Sequence, residues 1–377
     1  MEKVVVGLSG GVDSSVSLYL LKKAGYQVSA LFMRNWDSNL NNDILGHKVL
    51  NGTICPQEID YNDAQMVAKE LGVEINRVDF IQEYWDYVFT YFLREYQHGR
   101  TPNPDILCNK YIKFNYFLKY ALDKIKADKI AMGHYARVRF NPVLQEYQLL
   151  RGLDANKDQT YFLCQLNQEQ LSKTLFPIGE LTKDEVRKIA DEQHLATAHK
   201  KDSTGICFIG ERNFKQFLEN YIPNQPGDIV DIETNEIVGR HTGVMYYTIG
   251  QRKGLNLGGM DERYFTVGKN IKDNILYVSK GSEDKWLFST SCLVSDLNWI
   301  NRLPAQKFSC TAKFRYRQQD IPVQVEVLPN NQALVSFATK VKAITPGQEA
   351  VFYDGEVCLG GGIINEAYLN GQKLWYL

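Results

Sequence analysis

The stretch VVVGLSGGVDSSVSLYLLKKAGY, residues 4–26, decides the fold of the first half of the chain. A short apolar run meets a Ser-Gly-Gly turn, and an amphipathic helical pattern follows it and ends near Gly25. Gly10 and Gly11 permit a tight turn and a close backbone approach, and the N–H groups at a helix start favour an anion. The sequence therefore predicts a strand, a phosphate-binding loop and a helix.

The alternation of strand and helix continues beyond this stretch. Strands are predicted for QVSALFMRNW, EINRVDF and DKIAMGHYARV, and helices for YNDAQMVAKELGV, FNYFLKYALDKIKA and TKDEVRKIADEQHL. Such alternation is typical of a parallel sheet that is covered on both faces. Residues 35–60 are polar, rich in Asn and weakly patterned, so we expect a long loop of the functional or mobile kind.

The second half of the chain has a different sequence pattern, which is typical of β-structure. Short strands with Gly, Asn and Asp turns follow residue 225, and strands such as KFSCTAKFRYRQ and IPVQVEVLP continue to the end. They predict a small domain and then a β-barrel. We expect an α/β chain with a parallel-sheet catalytic domain at residues 1–215, a small central domain at 216–284 and a C-terminal β-barrel-like domain at 285–377.

Composition limits the class of protein. The 377 residues suffice for two or three domains, and 44% hydrophobic residues with a mean hydropathy of −0.33 are typical of a globular protein. We find neither a signal-peptide pattern nor an apolar run long enough for a bilayer, so no membrane association is expected. With a net charge of −1, nucleic-acid binding would need a local basic surface.

The seven cysteines point to a reducing, cytoplasmic compartment, because their number is odd and none forms a Cys-x-x-Cys pair. Cys108 follows two prolines at the mouth of a predicted helix, and Cys207 lies in a polar loop downstream of Lys200 and Lys201. Both settings favour a thiolate. The residues alone leave a reactive thiol and a buried thiol about equally open at these two positions.

The remaining cysteines carry weaker signals. Three of them lie in apolar patterns, and we expect them to be small buried hydrophobes: Cys164, Cys310 and Cys358. Cys55 is ambiguous, and Cys292 has no distinguishing context.

The phosphate loop lacks the lysine of the Walker pattern. An ordinary strand-to-helix turn is the alternative, but seven consecutive residues, Ser-Gly-Gly-Val-Asp-Ser-Ser, favour phosphate binding. The stretch resembles the PP-loop of the N-type ATP pyrophosphatases, whose fold is adenine nucleotide alpha hydrolase-like. That resemblance implies ATP binding and the transfer of AMP to a substrate oxygen. Asp13 is a weak candidate for contact with Mg²⁺, since it can equally orient the turn, and no protein metal ligand is predicted.

Five motifs carry a narrower resemblance: GLSGGVDSS, TPNPDILCNKYIKF, MGHYAR, KDQTYFL and KDSTGICFIGERNF, in this order. Looser matches continue in PGDIVDIETNEIVGRHTGVMYYTIGQRKGL, FRYRQ and ITPGQEAVFYDGEVCLGGGII, so that essentially the whole chain is covered. The set resembles the tRNA-specific 2-thiouridylases. It implies an ATP-dependent tRNA-uridine 2-sulfurtransferase that acts on the wobble uridine and uses ATP with Mg²⁺. The implied partners are tRNA, a cysteine desulfurase or sulfur-relay protein and an external reductant.

The resemblance also implies a role for each matching residue. Ten residues would hold ATP: Gly7, Leu8, Ser9, Gly10, Gly11, Val12, Asp13, Ser14, Met33 and Gly133. Asn103, Pro104 and Asp105 would surround the target base, with Asp105 a candidate acid or base. Cys207 would carry a persulfide, and Cys108 would be the nucleophile that leaves a Cys108–Cys207 disulfide. Seven residues would contact tRNA: His134, Lys157, Asp158, Gln159, Arg315, Tyr316 and Gln348.

Other interpretations stay open. A PP-loop enzyme with a small-molecule acceptor needs no paired cysteines, and an RNA-binding protein with an inactive loop would bind tRNA without converting ATP to AMP. Taken alone, His134 is more often a structural histidine, and the basic and aromatic residues of KFRYRQ are more often one solvated face of a strand.

Overall fold

The computed structural model describes residues 1–44, 56–202, 213–257, 262–281, 284–303 and 305–377. Cys55, Cys207 and most of the predicted loop after residue 44 lie outside the described residues. The described part of the chain contains no helix with the length and apolar character needed to cross a lipid bilayer.

The first domain is built on a parallel sheet. Its strands are β1 (Lys3–Gly7), β2 (Gln27–Arg34), β3 (Ile75–Asp79), β4 (Lys129–Ala131), the hairpin β5 (Ala136–Asn141) and β6 (Glu146–Arg151), and β7 (Thr174–Leu175). Five of them pair in the order β3-β2-β1-β4-β7, all parallel. Val5 packs into one apolar cluster, whereas Val4 and Val6 pack into another. Both faces of the sheet are therefore buried, as the continuous apolar runs predict.

The described residues of this domain also form the α-helices α1 (Val12–Lys23), α2 (Pro56–Glu70), α3 (Ile81–Tyr84), α4 (Thr90–Gln97), α5 (Pro104–Leu107), α6 (Leu118–Asp123), α7 (Gln168–Ser172) and α8 (Lys183–Glu192). The π-helical turns Trp85–Phe89 and Cys108–Phe117 join α3 to α4 and α5 to α6. A 3₁₀ turn spans Thr160–Leu163. Helix α8 begins where predicted because Thr182 and Glu185 form a reciprocal capping box.

The central domain begins with α9 (Phe214–Glu219). It continues in β8 (Gly227–Asp231), β9 (Ile237–His241), β10 (Tyr264–Asn270) and β11 (Ile275–Lys280), with 3₁₀ turns at Val244–Tyr246 and, leading to the next domain, Lys285–Leu287. These strands form a sheet of order β10-β11-β8-β9.

The last domain is a closed barrel. Its strands are β12 (Phe288–Trp299), β13 (Lys307–Lys313), β14 (Ile321–Leu328), β15 (Gln332–Lys342), β16 (Glu349–Asp354) and β17 (Val357–Leu369), with β18 (Gln372–Lys373) beside β17. The order β12-β15-β14-β13-β16-β17 closes because β17 also pairs with β12. Strand β6 adds to the outside of β17, with Leu149 opposite Cys358, so the hairpin of the first domain extends the barrel sheet. The predicted fold class is confirmed.

Three predicted boundaries are wrong. DKIAMGHYARV is not one strand, because the chain turns after β4, where Ala136 N donates to His134 O, and β5 pairs with β6 instead. Helix α2 begins at Pro56, inside the predicted loop. Strand β13 ends at Lys313, because a turn follows in which Gln318 Oε1 accepts from Phe314 N at 2.8 Å.

Candidate active site

The phosphate loop joins β1 to α1 and is shaped by glycines. Gly10 has a φ of +75°, and a Cβ added there would lie 2.1 Å from the Asp60 carbonyl oxygen. A Cβ on Gly133 would lie 2.8 Å from Ser14 N. Ser14 Oγ donates to Gly11 O at 3.0 Å and accepts from Ser9 N at 3.2 Å. The loop is thus a backbone cradle that side chains would fill, which fits the close approach of a phosphate.

Three further residues predicted to hold ATP are buried beside the phosphate loop. Leu8 and Val12 are buried, and Met33 lies near the end of β2. A Cβ on Gly7 would lie 2.7 Å from Met132 Sδ and 3.5 Å from Met33 Cε. Sulfur-containing side chains therefore pack directly against the end of β1.

Two lysines from distant parts of the chain reach this loop. Lys183 Nζ, at the start of α8, lies 2.7 Å from Asp13 Oδ1. Lys200 Nζ donates to Gly10 O at 2.9 Å and also contacts the carboxylates of Asp60 and Asp63. Burial opposes the charge of Lys200, but the hydrogen bonds to Asp60 and Asp63 outweigh it, and its pKa is raised. The positive charge that the loop itself lacks is therefore supplied from outside it.

Asp202 forms ion pairs with three cationic side chains beside the phosphate loop. Its carboxylate lies 2.7 Å from Lys157 Nζ, 2.8 Å from Lys183 Nζ and 2.7 Å from Arg187 Nη2. Burial by itself raises the pKa of Asp202, but the hydrogen bonds from Lys157 and Lys183 prevail and lower it to about 2. The ion-pair network thus links the loop to Lys157, one of the predicted tRNA contacts.

Asp13 is held on two sides. It accepts hydrogen bonds from Tyr135 Oη at 2.8 Å and from Lys183 Nζ at 2.7 Å. Burial and the Asp13 carboxylate together raise the pKa of Tyr135. In the described residues no three His, Cys, Asp or Glu side chains group as a metal site. This geometry favours the role of Asp13 in orienting the turn.

The segment with Cys108 is a continuous helix over residues 104–123. Asn103 caps it, with Oδ1 accepting from Asp105 N at 3.2 Å and Ile106 N at 3.4 Å, and Pro104 occupies its first turn. Cys108 therefore lies one turn inside the helix, not at its mouth as predicted. Because the helix dipole acts on the first turn, it stabilises a thiolate less at this depth. Cys108 is also 0% exposed, and it opens the π-helical turn.

The cysteines with apolar settings are buried as predicted at two positions, Cys164 and Cys358. Cys310 is only half-buried. Burial raises the pKa of Cys310 and of Cys358 to about 12. Cys292, which had no sequence context, lies in the barrel core, and burial raises its pKa as well. These four thiols are packing residues.

His134 connects the loop to the Cys108 helix. It follows Gly133, is 8% exposed and packs between Phe114 and Phe176, with ring centroids 5.8 and 5.9 Å away. Burial, with Lys113 nearby, lowers its pKa well below the usual value. Its Nδ1 is buried and has no hydrogen-bond partner. The predicted tRNA contact at His134 stays a prediction, and access to that nitrogen requires a change in the packing around it.

Two predicted tRNA contacts support the chain between β6 and the 3₁₀ turn. Asp158 is buried and accepts from Gly152 N at 3.1 Å and from Thr160 Oγ1 at 2.9 Å. Gln159 Oε1 accepts from Tyr135 N at 3.0 Å. Both side chains hold the fold locally, and their contacts with tRNA remain predictions.

The other three predicted tRNA contacts lie where the domains meet. Arg315 Nη2 donates to Ile249 O at 2.8 Å in the central domain, and burial lowers its pKa. Tyr316 packs against Phe162 in a tilted arrangement, with ring centroids 4.4 Å apart. Gln348 Nε2 donates to Thr101 O at 2.8 Å, two residues before Asn103. The structure thus places these three residues at contacts between domains, and one of them, Gln348, next to the start of the Cys108 helix.

Lys183, Asp202 and Tyr135 were not predicted as site residues. One feature of the sequence could have indicated Lys183: a phosphate loop without its own lysine needs a cation from elsewhere in the chain. Its partners are far away in sequence, so the spacing of motifs could not identify it. Cys207 lies outside the described residues, and its predicted persulfide role stays a prediction.

Known proteins match the chain over its whole length. A family model described as tRNA methyl transferase HUP domain matches residues 2–211, one described as tRNA methyl transferase PRC-barrel domain matches 215–280, and one described as aminomethyltransferase beta-barrel domain matches 289–364. The chain is 61% identical over 369 residues to the tRNA-specific 2-thiouridylase MnmA of Mesoplasma florum, covering 97% of this chain and 99% of that protein. The identity to the protein of the same name from Mycoplasma capricolum is 62% over 370 residues, with the same shares covered. The one from Geobacillus thermodenitrificans is 55% identical over 376 residues, covering 100% of this chain and 98% of that protein.

Proposed function

Because the chain belongs to the tRNA-specific 2-thiouridylase family, we propose that it catalyses the ATP-dependent 2-thiolation of the wobble uridine of tRNA. The observation that carries the proposal is the match over the full chain to proteins of that name. The glycine cradle between β1 and α1 supports it, since a backbone that admits no Cβ suits a phosphate chain. A cytoplasmic location, which the cysteine pattern favours, belongs to the same proposal.

ATP bound at the loop would supply the AMP group that turns the C2 oxygen of uracil into a leaving group. The loop backbone would orient the phosphates, and Lys183 and Lys200 would balance their negative charge. Mg²⁺ would be carried by the phosphates, because Asp13 is already held by Tyr135 and Lys183 and Mg²⁺ often takes few protein ligands.

The target base must leave the anticodon loop to reach such a site, and a loop base unstacks more easily than a paired one. Asn103 and Pro104 would hold it, with Asp105 as acid or base. Asn103 Oδ1 already caps the helix, which fixes the direction of its side chain. The helix cap and the base pocket therefore share one residue.

Sulfur would be delivered from a persulfide on Cys207. The Cys108 thiolate attacks the Cys207 sulfur, a Cys108–Cys207 disulfide forms, and the terminal sulfur leaves with the bonding electrons. That sulfur forms the new bond to C2, directly or as hydrosulfide, and AMP departs. An external reductant supplies two electrons to reopen the disulfide, and a cysteine desulfurase or a relay protein reloads Cys207.

Mass spectrometry of tRNA nucleosides tests the proposal. The enzyme is incubated with ATP, Mg²⁺, tRNA and a desulfurase sulfur source, as wild type, Cys108→Ser, Cys207→Ser and, as a matched control, Cys310→Ser. We expect 2-thiouridine only with the wild type and Cys310→Ser. Thiolation by the Cys207→Ser variant would refute the sulfur route, and AMP formation that does not depend on tRNA would favour a small-molecule acceptor.

A further inference from the structure

The segment just before the predicted base-binding residues is held by the other two domains. Residues 99–101 leave helix α4 and run to Asn103. Lys269, from β10 of the central domain, donates from Nζ to Gly99 O at 2.8 Å. We call this set of contacts on residues 99–101 the clamp.

The barrel supplies the other half of the clamp. Arg100 Nη2 donates to Asn365 Oδ1 at 2.7 Å and to Ile364 O at 3.2 Å. Thr101 is bound through both backbone groups, since its N–H donates to Pro346 O at 2.9 Å and its carbonyl accepts from Gln348 Nε2 at 2.8 Å. Three consecutive residues are thus fixed from two other domains.

Lys269 lies where the three domains meet. Its own N–H donates to Tyr376 O at 2.7 Å, near the end of the barrel domain. A Cβ on Gly99, which has a φ of +76°, would lie 2.5 Å from Ile271 Cδ1. The Lys269 side chain is partly buried, and this burial lowers its pKa to about 7.

We propose that Lys269 is a positioning residue for the sulfur-transfer reaction, which acts by fixing residues 99–101 and, through them, the base-binding residues Asn103 and Asp105. Thr101 is two residues from Asn103, and Pro102 and Pro104 stiffen the connection. Beyond Asn103 the chain enters the continuous helix with Cys108. The clamp and the helix therefore fix the base pocket from both sides, so a small shift at residue 99 moves the pocket and not the phosphate loop.

The proposal rests on the proposed function, and steady-state kinetics of tRNA thiolation test it. Lys269→Met keeps the apolar stem and removes the donor, Lys269→Arg keeps a charged donor, and Lys280→Met changes an exposed lysine in the neighbouring strand β11. We expect Lys269→Met to lower kcat/KM for tRNA at least tenfold while KM for ATP stays within twofold. Lys269→Arg should recover part of the loss, and Lys280→Met should match the wild type.

Folding failure does not hide the result, because Lys269→Met removes a charge that burial disfavours and that pairs with no carboxylate among the described residues. Its melting temperature should therefore not fall. Asn365→Ala loosens the clamp from the barrel side and should give the same loss for tRNA alone. Wild-type kinetics in Lys269→Met, or an equal loss for ATP and tRNA, would overturn the inference. A wild type that fails to thiolate tRNA would instead overturn the proposed function.

Discussion

Replacing Asp202 by Asn should lower the free energy of unfolding at pH 7 by about 1 kcal/mol. The carboxylate balances Lys157, Lys183 and Arg187, and its pKa falls from 3.8 to about 2. At about 1.4 kcal/mol per pKa unit, this shift corresponds to about 2.5 kcal/mol. The side chain is 33% exposed, so screening by solvent reduces the value by about half. Asparagine keeps the shape and removes the charge.

The effect has a defined pH dependence. Because the pKa of Asp202 is lower in the folded state, the carboxylate stabilises the protein above pH 4, near the unfolded pKa of 3.8, and loses this contribution as the pH falls towards about 2. The difference between wild type and Asp202→Asn should therefore be constant from pH 7 to 5 and shrink below pH 4.

Urea unfolding followed by tryptophan fluorescence measures the difference at each pH. Asp191→Asn is the matched control, because Asp191 is 51% exposed and its partner, His199 Nδ1, is 3.6 Å away. This control should change the stability by less than about 0.5 kcal/mol. Equal stability of Asp202→Asn and wild type at pH 7, or a difference that persists unchanged at pH 3, would refute the reasoning.

Two further substitutions test the loop and the chain beside it, and Gly25→Ala is a control for the first. Gly10→Ala should abolish AMP formation, because its Cβ would lie 2.1 Å from Asp60 O, whereas Gly25→Ala, with a φ of +86° and no atom within 4 Å, should lose only about 1 kcal/mol of stability and stay active. Measurable AMP release by Gly10→Ala would contradict this. Asp158→Ala should lower the free energy of unfolding by about 3 kcal/mol, because it removes a buried charged acceptor of Thr160. Unchanged urea unfolding would contradict this structural role of Asp158.

The phosphate loop could be predicted from sequence because its determinants are local. Glycines, hydroxyls and the start of α1 all lie within a few residues, and so do the signals that cap α8. The start of the Cys108 helix was also encoded locally, since Asn103 followed by Pro104 is a cap followed by a first-turn proline. The prediction that Cys108 lies at the mouth of the helix is one turn too late, because a proline is more often a sign that a helix is interrupted than that it begins.

The charged surroundings of the loop could not be predicted in the same way. Lys183 and Asp13 are separated by 170 residues, and Gln348 and Thr101 by 247. Contacts at such separations follow from how whole elements pack, and neither periodicity nor motif spacing specifies which lysine reaches which carboxylate. The split of one predicted strand into β4 and β5 also depends on a contact between distant residues. The chain turns at Gly133, where it packs closely against Ser14 of the loop.

Because Cys108 is buried, we expect its thiol to become accessible only after tRNA and ATP bind. The proposed sulfur transfer would need the Cys108 thiolate, yet the side chain is 0% exposed and lies one turn inside its helix. We therefore expect iodoacetamide to label Cys108 in the free enzyme as slowly as Cys292, which is buried in the barrel core. Peptide mapping by mass spectrometry separates the two sites, and the half-buried Cys310 gives an intermediate reference. Rapid labelling of Cys108 without tRNA and ATP would show that its thiol is already accessible, and substrate binding would then not be needed to expose it.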